Sequence, residues 1–355
     1  MALDLKTNNS ELFMSQSDLK DPSNDEFAAL GALVEYGSQL SLPLPVKKNL
    51  LKALDQLCSA AVDIPIAWLE GLAAERRAET EGRLKVIRTA ADKIASGSGS
   101  LSEYAEVASR RAAAKIVREQ VNLQKIAEIA VSDIASSRLL LEKPEQEARS
   151  EEKTEVGSEW LNAFEREASE KTSDEMRAMF GKVLAEEIRR PTSFSVKTVR
   201  LIGQLDPHVA KLFQRLCSLS VSFEIGTNIL DARVCGLDGQ AGLNSLKDWG
   251  LHFDALNLLH EHGLIVPDYN CWVDYAAAIA RDGRIAIPCR FADKQWAFMS
   301  TKEGGEHTLK MNGVSLSKSG KELFRIVDKV DSSGYLEHLQ EFLGKKDLKM
   351  VELSR

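Results

Sequence analysis

Between Leu101 and Glu142 the chain contains neither glycine nor proline. With no residue to break the hydrogen-bond ladder the stretch is free to stay helical, and at 1.5 Å per residue it would run about 60 Å. A helix that long gains most of its stability from packing, so it must lean on something. Ala105, Ala108, Ala112, Ile116, Leu123, Ile126, Ala130 and Ile134 recur at three- and four-residue steps, giving a stripe suited to close helix packing. The charges balance, six basic residues against six acidic ones, as on a solvated outer face. Two arrangements fit this stripe: an antiparallel hairpin with the preceding helix, and an intermolecular coiled coil.

The flanking segments carry start and stop signals of their own. Pro45 suits a first helical turn, and Leu50, Leu51, Leu54, Leu57 and Cys58 follow at helical spacing, predicting a helix over 46–62. Asp63 and Pro65 restart a helix that continues through an Ala-, Glu- and Arg-rich stretch to Ala95. SGSGS at 96–100 has no strand before it and no G-K-[ST] after it, so it reads as a connector, and Ser100 with Glu103 forms a capping box. Ser173 is placed to cap a helix through Met176, Phe180, Leu184 and Ile188, which Pro191 stops. Asp206 and Pro207 open another. After Ser220, RIAIPCRF and KQWAFMS read as strands, YLEHLQEFLG as a helix and LKMVEL as an edge strand. The expected fold is mainly α, with long helical hairpins in the N-terminal two-thirds followed by an α+β C-terminal domain. The boundaries are a disordered arm over 1–25, a long-helix domain over 26–145, a helical segment over 146–205 and the α+β domain over 206–355.

Composition narrows the function classes. The five cysteines are odd in number, widely spaced and free of any C-x-x-C pair, as expected of reduced thiols in a cytoplasmic protein. No run of about 18 apolar residues suits a membrane span, and the N-terminus lacks the apolar core of a signal peptide. A net charge of −7 exerts no overall pull on nucleic acid or anionic lipid.

Signatures of chemistry are absent from the sequence. There is no G-x-S-x-G elbow, H-E-x-x-H, Walker motif or dinucleotide fingerprint. His260 and His262 stand two residues apart and point about 200° apart on a helix, so they do not share one metal. A composite zinc site with Cys235, Cys271 and Cys289 is the less favoured reading of these residues. Neither catalytic residues, metal ligands nor a cofactor are expected. Were an unrecognised hydrolase or nuclease site present, Asp231, Asp238 and Asp248 would be its first candidate carboxylates.

Three pieces of the chain, IPIAWLEGLAAERRAETEGRLK, REQVNLQKIAEIA and EWLNAFEREASEKTSDEMRAMFGKVLAEEIRRPTSFSVKTVRLIGQL, resemble an uncharacterised bacterial domain-of-unknown-function family. The third is also similar to helical abortive-infection (Abi-alpha-like) proteins through Ser173, Glu175, Met176, Phe180, Leu184, Ala185, Pro191 and Ser193. This resemblance implies antiphage or stress defence and brings no reaction or cofactor. In the C-terminal part LKDWGLHFDALNLLHEHGLI resembles the paired helices of a winged helix-turn-helix, with Gly250 in the turn and Gly263 closing the second helix. VSLSKSGKELFRIV is similar to the wing strand and last helix of such domains.

The functional expectation is a non-catalytic, self-associating adaptor or sensor that binds protein. Its interaction candidates are Ile116, Leu123, Ile126, Ile134, Leu256, Leu259 and His260. The alternative is a DNA-binding transcriptional regulator. It is disfavoured because FDALNLLHEHGLI has no Arg or Lys, and because residues 191–355 carry 20 basic against 20 acidic residues.

Overall fold

The computed structural model describes residues 33, 35–58, 101–137, 155–226, 228–281, 284–285, 287–302 and 308–353. The arm over 1–25, the restart at Asp63, the SGSGS connector and its capping box, the partner half of the expected N-terminal hairpin and most of the acidic stretch after Glu142 lie outside them. The order opens with α1 (Leu44–Cys58), α2 (Leu101–Ser137), α3 (Ser158–Ser169), α4 (Asp174–Arg189), α5 (Val196–Gln204) and α6 (Pro207–Leu219). The strands β1 (Val221–Ile225) and β2 (Asn228–Cys235) follow, then α7 (Phe253–Glu261), β3 (Trp272–Asp274), β4 (Ile279–Ala280), β5 (Cys289–Phe291), β6 (Lys294–Ser300) and β7 (Lys310–Ser315). The chain closes with α8 (Lys318–Phe324), α9 (Ser333–Gly344) and β8 (Leu348–Glu352).

The expected long helix is α2, and its most extensive contact is with α4. Leu123, Ile126, Ala127, Ala130, Val131 and Ile134 are buried along the C-terminal half of the stripe. Gly181 of α4 lets the two backbones approach, since a Cβ there would lie 2.4 Å from Ile129 Cγ2. Arg189 to Asp133 at 2.9 Å and Arg177 Nη2 to Asn122 Oδ1 at 2.7 Å fix the sliding register of the pair. The sequence caps hold: Ser173 accepts from Met176 N–H, and Asp206 from Val209 N–H at 2.9 Å with Pro207 in the first turn.

The C-terminal region departs from the expected fold. It holds an eight-stranded sheet in the order β3-β7-β2-β1-β5-β6-β4, with β8 also paired to β6. The sheet is antiparallel except where β4 meets β6, and it curls into a half-barrel. The mainly-α fold with winged-helix character is therefore incorrect. Ahead of the segment that resembles a winged helix-turn-helix, β1 and β2 pair as an antiparallel hairpin near the middle of the sheet. LKDW makes a short 3-10 turn over Lys247–Trp249 rather than a first recognition-motif helix, because Gly250 at φ 77° ends it at once. Gly263, at φ 68°, does close α7. Ser317, Gly320 and Leu323 act as a local packing motif. Ser317 caps α8 by accepting from Gly320 N–H, Leu323 is buried, and a Cβ on Gly320 would sit 2.1 Å from the Leu264 carbonyl.

The N-terminal helices meet α8 at the turn between α4 and α5. Pro191 stops α4, and Thr192 takes φ 74°. From the last turns of α4, Glu187 accepts from Thr192 N–H at 2.6 Å through one oxygen and Phe194 N–H at 3.0 Å through the other. From α8, Glu322 Oε2 accepts from Ser195 N–H at 2.8 Å, Ser195 Oγ–H at 3.0 Å and Thr198 Oγ1–H at 2.6 Å. That carboxylate fills the positive N-terminal end of α5, where unpaired N–H groups favour an anion. Lys182 of α4 adds a bidentate ion pair to Asp328, at 2.7 and 2.6 Å. Glu187 is 1 % exposed. Burial pushes its carboxyl up to about 7 despite the donated N–H bonds, and Glu322 adds to the rise.

Candidate interaction surface

The edge strand β3 is short, and it is held by a polar cluster on one face of the sheet. Along β2, Asp231 and Arg233 point to the same side because side chains alternate. The Arg233 Nε–H donates to Asp231 Oδ2 at 2.6 Å, and its Nη1 donates to the carbonyls of Cys271 and Met311, each at 3.0 Å. Tyr275 donates its hydroxyl to Asp231 Oδ2, and Ser315 Oγ–H donates to Oδ1 at 2.7 Å. The Tyr275 ring stacks on Phe223 at 3.9 Å. Cys271 and Tyr275 bracket β3, so this network clamps the strand at both ends. Burial alone would raise the Asp231 carboxyl; the Arg233 charge and the three donated bonds outweigh it and hold the group below its ordinary range. Burial and the adjacent Asp231 push the Tyr275 hydroxyl upward, so it remains a donor at neutral pH.

The register Trp272↔Asn312, Val273↔Met311 and Asp274↔Lys310 puts Trp272 and Lys310 on one face of the sheet and Val273 on the other. Lys310 Nζ lies 4.9 Å from the Trp272 ring centroid, within cation–π range. The loop after β2 presents Leu243 and the start of α7 presents Phe253, both tied to the residues that lead into β3. Asn270 Oδ1 accepts from Gly242 N–H at 3.3 Å, Asn244 Oδ1 accepts from Phe253 N–H at 2.6 Å, and Phe253 meets the edge of the Tyr269 ring. Asn244 takes φ 64°, a conformation in which asparagine is enriched. Large apolar side chains thus face solvent on and next to β3: Leu243 is 77 % exposed, Trp272 61 % and Phe253 42 %, with Val273, 40 % exposed, on the opposite face of the strand. Single exposed apolar residues are ordinary, but adjacent ones on a hydrogen-bonded frame mark a contact surface.

The interaction candidates from the sequence divide into two groups. Leu123, Ile126 and Ile134 are buried within the chain's own helical layer, and Leu256 and Leu259 are buried beneath α7. Ile116 and His260 face solvent. Leu243, Trp272 and Val273 are outside the segments singled out in the sequence, and Phe253 opens the helix that resembles the second of a winged helix-turn-helix without being among its candidates. The available signal was Trp272 and Val273 standing among Asp268, Asn270 and Asp274, an apolar pair in a polar run with no helical period to bury it.

The carboxylates considered for hydrolysis are not brought together. Asp231 is engaged in the polar cluster, and Asp238 pairs with Lys345 in the loop after β2. Asp248 lies on the 3-10 turn. Among the described residues, no group of three or more His, Cys, Asp or Glu side chains is placed to hold a metal. His262 Nδ1 contacts the Leu258 carbonyl at 2.9 Å. Cys235 and Cys289 are buried, and burial pushes their thiols well up, Cys235 to about 11. Among the described residues no helix is long and apolar enough to cross a membrane.

Residues 106–340 match the profile of a family described as "Protein of unknown function (DUF2806)". The match runs from α2 into α9 and so takes in both the helical layer and most of the sheet. No curated protein and no solved structure matches the chain.

Proposed function

The chain belongs to the DUF2806 family, and from the surface at β3 we propose that it is a non-catalytic adaptor or sensor that binds protein, copies of itself included. The observation that carries this reading is the group of exposed side chains Leu243, Phe253 and Trp272, the last on a strand clamped by the Arg233–Asp231 network and the first two on segments bonded to the residues before β3. Preorganised aromatic groups at the centre of a contact lose little entropy on binding and dominate its energy. The polar groups that could have served chemistry, Asp231, Tyr275 and Ser315, are committed to one another.

Sedimentation of the full chain at tens of micromolar tests self-association. The expected result is a species heavier than 39.2 kDa that the paired change Leu243→Asp and Trp272→Asp returns to monomer. A strict monomer in the unmodified chain removes self-association from the reading. A setting in antiphage or stress defence rests only on the resemblance around Ser173 to Ser193, and phage challenge of cells with and without the gene tests it.

A further inference from the structure

We propose that the turn between α4 and α5 is a latch that opens locally when Glu187 gives up its proton to solvent, so that ambient pH sets how firmly the N-terminal helices hold α8. Geometry carries the first part. Thr192 sits at φ 74°, a conformation that a β-branched residue rarely adopts and that persists only where its surroundings hold it. What holds it is Glu187, whose Oε1 accepts from Thr192 N–H at 2.6 Å while Oε2 accepts from Phe194 N–H at 3.0 Å. The next N–H, that of Ser195, ends on Glu322 Oε2 at 2.8 Å. Main-chain donors at 192, 194 and 195 thus depend on two carboxylates, one brought by α4 and one by α8. The Lys182–Asp328 pair ties α4 to the segment after α8 independently, so release of the turn loosens this junction without parting it. The latch does not depend on the β3 surface.

The charges around Glu187 carry the second part. The side chain is buried, and among the described residues no cation pairs with it. On its own helix Glu186 engages Arg189 and Arg190, and Arg189 reaches Asp133 of α2 at 2.9 Å. From α1 the contact is neutral, Asn49 Nδ2 donating to the Ile188 carbonyl at 3.3 Å. Lys197 and Arg200 of α5 are exposed; on the α8 side Lys318 and Arg325 are exposed and Lys321 donates to the Leu230 carbonyl. The charge that acts on Glu187 across the turn is the like charge of Glu322. Burial, with that repulsion added, lifts the Glu187 carboxyl from an ordinary 4.5 to about 7 against the N–H bonds it accepts. In an open turn the same group lies in water and titrates at its ordinary value. Between the two values the open form gains about tenfold in population per pH unit, and above the higher one, where both forms are ionised, the gain stops.

Hydrogen exchange of the full chain, read at single amides by mass spectrometry, tests the latch from about pH 5 to about pH 8. After correction for the intrinsic pH dependence of exchange, opening at Thr192 and Phe194 should rise about a hundredfold between about pH 5 and about pH 7 and level off above that. Val209 N–H is the reference: it bonds Asp206, and that bond holds the Asp206 carboxyl below its ordinary range, so its opening should stay flat. Glu187→Gln should abolish the rise. Thr192→Gly, which removes the Cβ from the strained position, should cut opening by about fivefold at every pH while the levelling-off stays where it is. Opening at the turn that does not change with pH overturns the proposal, and so does a rise that Val209 shares in full or that survives in Glu187→Gln. Should Glu187→Gln fail to fold, Thr192→Gly decides: opening that it leaves unchanged or raises overturns the latch.

Discussion

Replacing Glu187 by glutamine isolates a buried carboxyl that is, among the described residues, the one whose ionisation the fold opposes. The side chain is 1 % exposed and spans the turn after α4, with one oxygen on Thr192 N–H and the other on Phe194 N–H. Glutamine keeps the shape and offers a single acceptor, so one of the two N–H groups then faces another donor. That mismatch costs about 1–3 kcal/mol. The pH dependence points the other way. Glu187 is raised from an ordinary 4.5 to about 7 in the folded chain, so between those values the folded state holds a proton that the unfolded state has released. Its contribution is fully present below pH 4.5 and is lost as pH rises through about 7, a fall of about 3 kcal/mol. Glutamine does not titrate. The stability gap between the natural chain and Glu187→Gln should therefore shift by about 3 kcal/mol in the variant's favour between pH 4.5 and 8. Urea unfolding of both proteins across that range measures the gap and cancels every group they share. A gap that stays constant, or widens against the variant as pH rises, refutes the argument and places the turn's N–H groups above burial as the controlling influence.

Other substitutions test the packing and the clamp. Gly320→Ala places a methyl 2.1 Å from the Leu264 carbonyl and should lower stability by about 2 kcal/mol or more, read as a drop in the thermal midpoint. Gly181→Ala meets Ile129 Cγ2 at 2.4 Å; calorimetry should show a loss of about 1–3 kcal/mol that Ile129→Ala partly restores. Arg233→Met strands Asp231 and should cost about 3–5 kcal/mol in urea unfolding, while adding Asp231→Asn recovers part of the loss. Ser173→Ala should remove about 1 kcal/mol through the lost cap on α4, detectable by the same method.

Local rules were legible in the sequence wherever the cause lies within a few residues. Ser173, Asp206 with Pro207, and the Pro191 stop are capping and steric effects of neighbouring atoms, and they appear where the spacing places them. In the C-terminal half of α2 the three- and four-residue stripe names the buried face, since Leu123, Ile126, Ala130 and Ile134 are inside, whereas Ile116 on the same stripe is exposed. What that face packs against was not legible. Gly181 selects α4 through a close approach that depends on residues some fifty positions apart.

The sheet was decided by tertiary structure. β5, β6 and β8 fall in RIAIPCRF, KQWAFMS and LKMVEL, which read as strands; β3 and β4 are two or three residues each, too short to leave an alternation in the sequence, and become strands only because β7 and β6 supply hydrogen-bond partners from distant positions. The buried Arg233 reads in sequence as one more surface charge. Only the fold brings it to Asp231 and the carbonyls of Cys271 and Met311, and so holds Trp272 at an open edge. Sequence determined the helices and their ends because those energies are local. The fold decided the exposed surface because exposure is what remains after every long-range partner has been assigned.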